Sequence, residues 1–437
     1  MECHDTPYDA LETRSADQRE AEFWKALRLT AAHAKANASA WADRLREIEP
    51  EELTGRDALA RIPVLRKSEL LALQRASCER GGDVFAGHAT VGWTTQQPHR
   101  ATALRVFSSP GPIYEPQGSG IDPWRMARAL HAAGLRPGEL LHNSFSYHFT
   151  PAGAMLEGGA HRLGCTVFPA GIGQTELQVQ ALADLGAHCY GGTPSFLGIL
   201  VDRAQALGIA LPRLTKALVS GEALNSALRE RLDAANITAL QCYASADVGL
   251  IAFETRERNG LLIDESVLIE ILDPNNRPVP DGEVGEVVVT VLNSAYPLIR
   301  FGTGDLSSIL PESRHTPLSC GRTQLRIAGW MGRADQATKV RGLFVHPHQI
   351  QDVLKRHPEV RWARLEVSQR DGEDQMQLIC VSEVASPNLA QALQQTMRDL
   401  TKLRAEVTWQ SSENWLQNAP TISDLRARPS SQAQADG

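Results

Sequence analysis

From Arg105 to Ala235 the chain alternates short apolar runs with stretches of helical spacing, and this alternation narrows the fold more than any other feature of the sequence. Arg105-Val-Phe, Cys165-Thr-Val-Phe, His188-Cys-Tyr and Lys216-Ala-Leu-Val read as buried strands, and residues 122–133, 174–185, 195–207 and 223–235 read as helices. A strand that hands over to a helix before the next strand favours a mostly parallel sheet with helices packed on it. Upstream, residues 15–48 are rich in alanine and carry charges at helical spacing, with neither Gly nor Pro before Pro50, which predicts a helical lead-in. Near 260 the texture changes: Val267-Leu-Ile-Glu-Ile-Leu, a turn cluster from Asp273 to Glu283, then Val284-Gly-Glu-Val-Val-Val predict a β-rich section. After Gly332 a third pattern begins, with helices near 347–356 and 388–401 among strand-like segments, enough for a separate α+β module. The expected fold is therefore α/β: a large N-terminal domain over 1–331 and a small C-terminal α+β domain over 332–437, with a disordered tail from about 428.

Composition removes several functions. With 42% apolar and 22% charged residues the chain has an ordinary globular balance. Its net charge of −7 comes with no basic stripe, so a general nucleic-acid surface is not expected. No window approaches the ~20 apolar residues of a membrane span, the first residues are too polar for a signal peptide, and the seven cysteines are scattered without metal spacing. Free thiols in the cytoplasm are the expectation. Only seven of the 44 basic residues are lysines, so each lysine position can be audited.

Four segments carry chemistry. Ser108-Ser-Pro-Gly-Pro, with Ser108, Ser109 and Gly111, follows an expected strand and is small enough for close backbone approach to a phosphate. Ser220-Gly221-Glu222 ends another strand. Tyr243-Ala-Ser-Ala-Asp247 sets an aromatic face four residues from a carboxylate, suited to a base and a cation. Tyr296-Pro-Leu-Ile-Arg-Phe-Gly-Thr-Gly-Asp305 places Arg300 and Asp305 around a glycine-rich turn, where the Asp would accept from two vicinal hydroxyls. Singly, each also reads as a strand-ending turn, a core tyrosine or a surface ion pair.

Taken in order, and with Gly332-Arg-Ala-Asp-Gln-Ala-Thr-Lys-Val-Arg-Gly342 after them, these segments resemble the phenylacetate-CoA ligase branch of the adenylate-forming (acyl-CoA synthetase) superfamily. The resemblance covers nearly the whole chain, starting at Ile62-Pro-Val-Leu-Arg-Lys-Ser-Glu-Leu and running through Asn143-Ser-Phe-Ser-Tyr-His-Phe and Gly158-Gly-Ala-His-Arg-Leu-Gly-Cys-Thr-Val-Phe-Pro. It implies ATP, Mg²⁺ and coenzyme A as cofactors, and a small aromatic or aryl-acetic acid as substrate. Ser108, Ser109 and Gly111 would face phosphate, Ser220, Gly221 and Glu222 would border adenine, Tyr243 would stack on it, and Asp305 would hold the ribose. Asp247, where the family usually has Glu, would be the catalytic and metal carboxylate, with Arg300 and Arg322 as electrostatic helpers. Phe145, Tyr147, His148, Phe149, Thr193 and Pro194 would line the acyl pocket. Arg333, Asp335 and Lys339 would form the hinge about which the small domain pivots between half-reactions.

Two departures from that pattern stand out. The family's phosphate loop is rich in Ser, Thr and Gly and usually ends in Lys-Pro, whereas Ser108 to Pro116 holds three prolines, Tyr114 and Glu115 and no lysine. Each proline withdraws an N–H, and an inward Glu115 would add negative charge. The family also carries a C-terminal lysine that reaches the reacting carboxylate and α-phosphate. Here the matching segment is Leu416-Gln-Asn-Ala-Pro-Thr-Ile-Ser-Asp-Leu-Arg426, with Pro420 or Thr421 at that position, and no lysine follows Lys402. Three readings stay open: an acid–CoA ligase, an adenylating enzyme serving a carrier-protein thiol or a reductase, and a degenerate nucleotide- or acyl-adenylate-binding protein. A homodimer is also left open.

Overall fold

The computed structural model describes residues 6–93, 101–109, 113–334, 338–341, 343–370, 373–412 and 421–426. Two compact units divide the chain: Met1–Thr303 with Ser307–Trp330, and Gly304–Leu306 with Met331–Gly437. The expected tail from about 428, Gly111, Asp335 and Pro420 lie outside the described residues.

The first unit is built on an eight-stranded sheet. Five parallel strands run in the spatial order Thr238–Ser245, Lys216–Val219, Cys189–Gly192, Leu140–Asn143, Thr166–Pro169, and three antiparallel strands, Gly249–Glu254, Leu261–Ile263 and Arg326–Ile327, extend it beyond the first of these. Alternate residues of the parallel strands feed two separate cores, as a pleat requires. Leu141, Cys189, Leu218 and Leu240 pack with Leu130, Met155 and Leu156 on one face. Tyr190, Ala217, Val219 and Ala239 pack with Val179, Leu182, Leu197 and Leu200 on the other. With helices on both faces the inner strands are buried on both sides, which is why they read as continuous apolar runs, whereas Thr166–Pro169, expected as a buried strand, lies at the sheet edge with both its ends exposed. Helix Ala152–Arg162 lies so close to helix Met126–Ala132 that a Cβ on Gly159 would come within 2.7 Å of the backbone N of Ala127. No other residue fits there without moving a helix.

A second sheet of the same unit orders Leu65–Arg66, Phe301–Ser307, Gly285–Val291 and Val267–Leu272. The last two pair antiparallel as the turn cluster predicts. The lead-in forms helices Ala16–Asn37 and Ser39–Arg44, separated at an extended Ala38. Two expectations need correction. Arg105–Ser109 is not a strand of the large sheet: it forms a hairpin with Ile113–Gln117, its first two residues exposed. The strand Leu140–Asn143, second from the edge of the large sheet, is not expected from the sequence, because its polar half, His142 and Asn143, hides it. Both are buried and bonded, His142 Nε2 to Gln178 at 2.9 Å and Asn143 Nδ2 donating to the Gly153 carbonyl at 2.8 Å.

The second unit holds a four-stranded sheet, ordered Glu406–Trp409, Glu373–Val381, Trp362–Arg370, Ile422–Asp424, with helices Pro347–Arg356 and Pro387–Thr401. Val353, Leu365, Leu378, Leu393 and Met397 form its core. Among the described residues no helix is long and apolar enough to cross a membrane, and the six described cysteines are unpaired.

Candidate active site

In the first unit, elements far apart in sequence converge on Asp247. The strand Thr238–Ser245 turns back into Gly249–Glu254 with a register shift at Tyr243/Ala244, and the turn carries Asp247, 3% exposed, into the interior. Its Oδ2 accepts from Lys67 Nζ at 2.6 Å. Lys67 opens helix Lys67–Glu79, whose preceding strand is fixed by pairing of Leu65 and Arg66 with Phe301 and Gly302. The hairpin of Arg105–Ser109 with Ile113–Gln117 supplies the third element: Ser109 Oγ donates to Glu115 Oε1 at 2.5 Å, with both residues buried.

Glu115 is the electrostatic key. Burial foremost, and then the charge of Asp247, pushes its carboxyl up to about 9, against the pull of Ser109 and Lys67. Glu115 Oε2 and Asp247 Oδ1 are buried and have no hydrogen-bonding partner among the described residues. A proton on Glu115 supplies the donor that one of these oxygens needs. The glutamate therefore sits in this hairpin as a neutral donor at neutral pH, and the added charge expected of it does not arise. Asp247 would offer Mg²⁺ a carboxylate oxygen only once it gives up the Glu115 proton or Lys67, with phosphate and water filling the remaining positions. Among the described residues no group of three or more His, Cys, Asp or Glu could hold a metal without such help.

The raised carboxyl makes a pH prediction. Native Glu115 keeps its proton up to about 9, while the unfolded chain loses it near the ordinary value of 4.5. The folded state binds the extra proton between those values, so this group's contribution to stability falls as pH rises through that window. Glu115→Gln removes the slope. Urea unfolding should show the variant gaining on the wild type by on the order of a few kcal/mol between pH 5 and 8.5. A gap that stays constant with pH would mean that Glu115 is ionised in the native state.

Beside this cluster a cavity of about 140 Å³ is lined by Ser109, Met126, Phe145, Met155, Leu156, Ser220, Gly221 and Ala244 among others. Sequence reasoning singled out Ser109, Phe145, Ser220 and Gly221, and the fold brings them together here. Gly221 adopts φ +87°, a left-handed conformation that few other residues hold without strain. Ser220 Oγ donates to the Cys242 carbonyl at 2.8 Å, tying neighbouring strand ends. Glu222 Oε1 accepts the Ser195 N–H at 2.8 Å, which fixes the start of helix Pro194–Leu207. Thr193 stands 3.6 Å from where a Cβ on Gly221 would be, and Pro194 is buried in the first helical turn. The half-buried Tyr243 donates to Thr303 Oγ1 at 3.2 Å. Ser108 N–H donates to the Phe149 carbonyl at 2.8 Å, linking the hairpin to the 144–151 loop.

Other expectations change. Phe149 is 81% exposed with φ +56°, and His148 is exposed too, so neither walls the cavity. Tyr147 faces Asn143, whose Nδ2 donates to its hydroxyl at 2.8 Å, and burial pushes its phenol up. Arg300 and Arg322 are structural cations. Arg300, 3% exposed, donates to Glu270 at 2.9 and 3.0 Å and to the carbonyls of Ala60 and Ile62 at 2.9 and 2.7 Å. Arg322, 1% exposed, donates to Glu12 at 2.7 Å and to the Thr6 carbonyl at 2.8 Å, pinning the N-terminal segment. A guanidinium so engaged has its charge answered inside the protein. Lys67 is the residue that sequence reasoning passed over. It lies within the Ile62–Leu70 segment that carried part of the resemblance, and the scarcity of lysine is the only signal that marks it.

In the second unit Asp305 Oδ1 pairs with Arg333 Nη1 at 3.3 Å, and the two residues also form a backbone bridge. Lys339 lies on the strand Thr338–Val340, which pairs with Leu343–Val345.

Comparison with known proteins gives concordant matches. Residues 126–293 match the AMP-binding enzyme family. The phenylacetate-coenzyme A ligase of Thermus thermophilus is 32% identical over 327 residues, 72% of this chain and 69% of that protein. Those of Pseudomonas putida and Escherichia coli K12 are 30% and 28% identical, over 79% and 85% of this chain and 78% and 84% of theirs. Among solved structures, a 2-hydroxyisobutyryl-CoA ligase in an open conformation superposes with a TM-score of 0.77 over 97% of each chain, at 23% identity. An anthranilate CoA ligase gives 0.51 over 74% of this chain and 64% of that one, at 15% identity.

Proposed function

This chain belongs to the phenylacetate-coenzyme A ligase family, and from that premise we propose that it uses ATP to activate a carboxylic acid as an acyl-adenylate and passes the acyl group to coenzyme A. The observation that carries the reading is the convergence of Ser109, Glu115, Asp247 and Lys67 beside a ring-sized cavity.

A carboxylate is a weak nucleophile and a worse acyl donor. Its oxygen attacks the α-phosphorus of ATP, the bond to pyrophosphate breaks, and the mixed anhydride of acid and AMP forms. The thiol of coenzyme A then attacks the carbonyl carbon, loses its proton, and AMP leaves. In the first step two anions meet, so catalysis is chiefly charge compensation and alignment. Protonated Glu115, held by the Ser109 hydroxyl that donates to its Oε1, spares phosphate oxygens the repulsion that an ionised glutamate would exert. Lys67, bonded to Asp247 at 2.6 Å, is the cation of this cluster and would turn to the α-phosphate. Magnesium, when bound, would be held by Asp247 with Glu115 beside it and would supply further positive charge to the phosphates. Gly221 and Tyr243 would border the adenine.

The cavity volume supports an aromatic or aryl-acetic acid: about 140 Å³ lined by Met126, Phe145, Met155 and Leu156 is close to the roughly 150 Å³ that accepts benzene in an engineered protein core. Hydroxylamine trapping over a panel of aryl and aryl-acetic acids tests this, with acid-dependent hydroxamate and pyrophosphate as the expected result. One observation favours a second reading. No lysine follows Lys402, and Thr421, at one of the two candidate positions, is half-buried with its carbonyl accepting the Leu365 N–H at 2.9 Å. A protein that binds AMP and acyl-AMP in calorimetry but turns over no acid in the panel would belong to that reading.

A further inference from the structure

Helix Lys67–Glu79 buries only two of its residues, Leu70 and Gln74. With Lys67 they fall at i, i+3 and i+7, one stripe along the helix, so Lys67 and Gln74 stand about 10 Å apart along a single rigid axis. Gln74, 1% exposed, is an amide where that stripe calls for an apolar residue. Its partners account for it. Gln74 Nε2 donates to the Tyr114 carbonyl at 2.9 Å, and Gln74 Oε1 accepts the Tyr114 N–H at 2.8 Å.

Tyr114 stands opposite Ser108 in the hairpin of Arg105–Ser109 with Ile113–Gln117. In an antiparallel pair the backbone groups of alternate residues point away from the partner strand, and at this rung they do so: Ser108 N–H goes to the Phe149 carbonyl, and both Tyr114 groups go to Gln74. The hairpin joins neither of the larger sheets of the first unit, and two strands alone are marginal, so its edges depend on such bonds. A carboxamide sets a donor beside an acceptor and so copies the edge of a third strand. The next residue after Tyr114 is Glu115, whose carboxyl is bonded to Ser109 and lies beside Asp247. One helix thus holds Lys67 against Asp247 and, two turns on, fixes the strand that brings Glu115 to the same carboxylate. We propose that Gln74 is a positioning residue for acyl-adenylate formation, holding the hairpin that carries Ser109 and Glu115 in register with the helix that carries Lys67. That role rests on the adenylating reading of the cluster. With its amide taken up by Tyr114, Gln74 acts through the strand and not on substrate.

Gln74→Met keeps the length of the side chain and removes both bonds. With the acid of the aryl panel that turns over fastest, pyrophosphate release should lose about 10²-fold in kcat, the scale set by a misplacement of about 1 Å at a reacting centre. KM for the acid and calorimetric AMP binding should stay within about threefold, since Met126, Met155 and Leu156 of the cavity wall are untouched. The second half-reaction separates positioning from general damage: a synthetic acyl-adenylate and coenzyme A should give thioester at the wild-type rate, because no triphosphate charge has to be met there. Ser77→Ala, which removes a side-chain bond to the Asp83 carbonyl from the other end of the same helix, should leave both half-reactions unchanged. The proposal is overturned if Gln74→Met releases pyrophosphate within about threefold of the wild type, if KM rises while kcat holds, if both half-reactions fall together, or if Ser77→Ala slows adenylation as much. A wild type that releases no pyrophosphate with any acid would contradict the adenylating reading and Gln74 with it, whereas an active wild type with an unaffected variant would contradict the role of Gln74 alone. Should Gln74→Met fail to fold, Gln74→Asn decides the matter, because it keeps the amide and draws it back by one methylene. Slowed pyrophosphate release with intact thioester formation supports positioning, and wild-type rates in both overturn it.

Discussion

Asp247→Asn should lower acid-dependent pyrophosphate release by about 10²–10³-fold, the usual cost of removing one group aimed at charge developing in a transition state. The substitution keeps the shape of the side chain and deletes its charge, so Lys67 loses its 2.6 Å partner and the carboxylate that fits Mg²⁺ becomes an amide. Binding of AMP, which carries one phosphate, should weaken far less than turnover. The fold should persist, because the turn that holds residue 247 is fixed by the antiparallel pairing of Ser245 with Gly249 and by the Val248 N–H bond to Ser245 Oγ at 3.2 Å. Lys67→Ala is the companion variant, expected to show a loss of similar order with the same retained AMP binding. A variant at 247 that turns over within threefold of the wild type would remove Asp247 from the chemistry.

Arg300 should behave in the opposite way. Arg300→Ala leaves Glu270 buried without its cation and the Ala60 and Ile62 carbonyls without their donor, and breaking such a pair from one side typically costs about 3–5 kcal/mol. Urea unfolding should register that loss. Replacing both partners together, Arg300→Met with Glu270→Leu, should recover much of it, because no uncompensated charge then remains. The turnover of whatever fraction stays folded should be close to that of the wild type in both variants. If instead Arg300→Lys proves stable but slow, the guanidinium acts on substrate after all.

That contrast shows which parts of this protein can be read from residue order. The strands Cys189–Gly192 and Lys216–Val219 and the helices beside them were legible because their signal is local: apolar runs sealed on both faces by helices, while the edge strand Thr166–Pro169 was legible in position but not in burial. Leu140–Asn143 escaped because burial of His142 and Asn143 depends on Gln178 and on the Gly153 carbonyl, partners that no neighbouring residue announces. The same division runs through the site. Ser109, Phe145, Ser220 and Gly221 sit in motifs whose order along the chain is itself informative, and they line one cavity. Lys67 meets Asp247 across 180 residues of sequence, so only the fold can introduce them. Arg300 and Arg322 looked available for the opposite reason: their counter-charges, Glu270 and Glu12, stand 30 and 310 residues away. Glu115 looked like a misplaced charge, and it becomes a donor only once burial beside Asp247 sets its protonation.

That the sequence carries no lysine after Lys402 would bear on one half-reaction more than the other. Adenylation needs a cation at the reacting carboxylate and α-phosphate, whereas attack of the thiol on a finished adenylate expels AMP, already a good leaving group. A protein in which Lys67 supplies that cation would carry out both steps. One in which nothing supplies it would still convert a synthetic acyl-adenylate and coenzyme A to product.

The most direct measurement is therefore mass-spectrometric detection of acyl-CoA from ATP, magnesium, coenzyme A and each acid of an aryl and aryl-acetic series, with AMP counted alongside. The account predicts a new thioester with at least one acid, formed one-for-one with AMP and lost in Asp247→Asn. No thioester and no AMP above background with any acid, from a protein that remains folded, would contradict it.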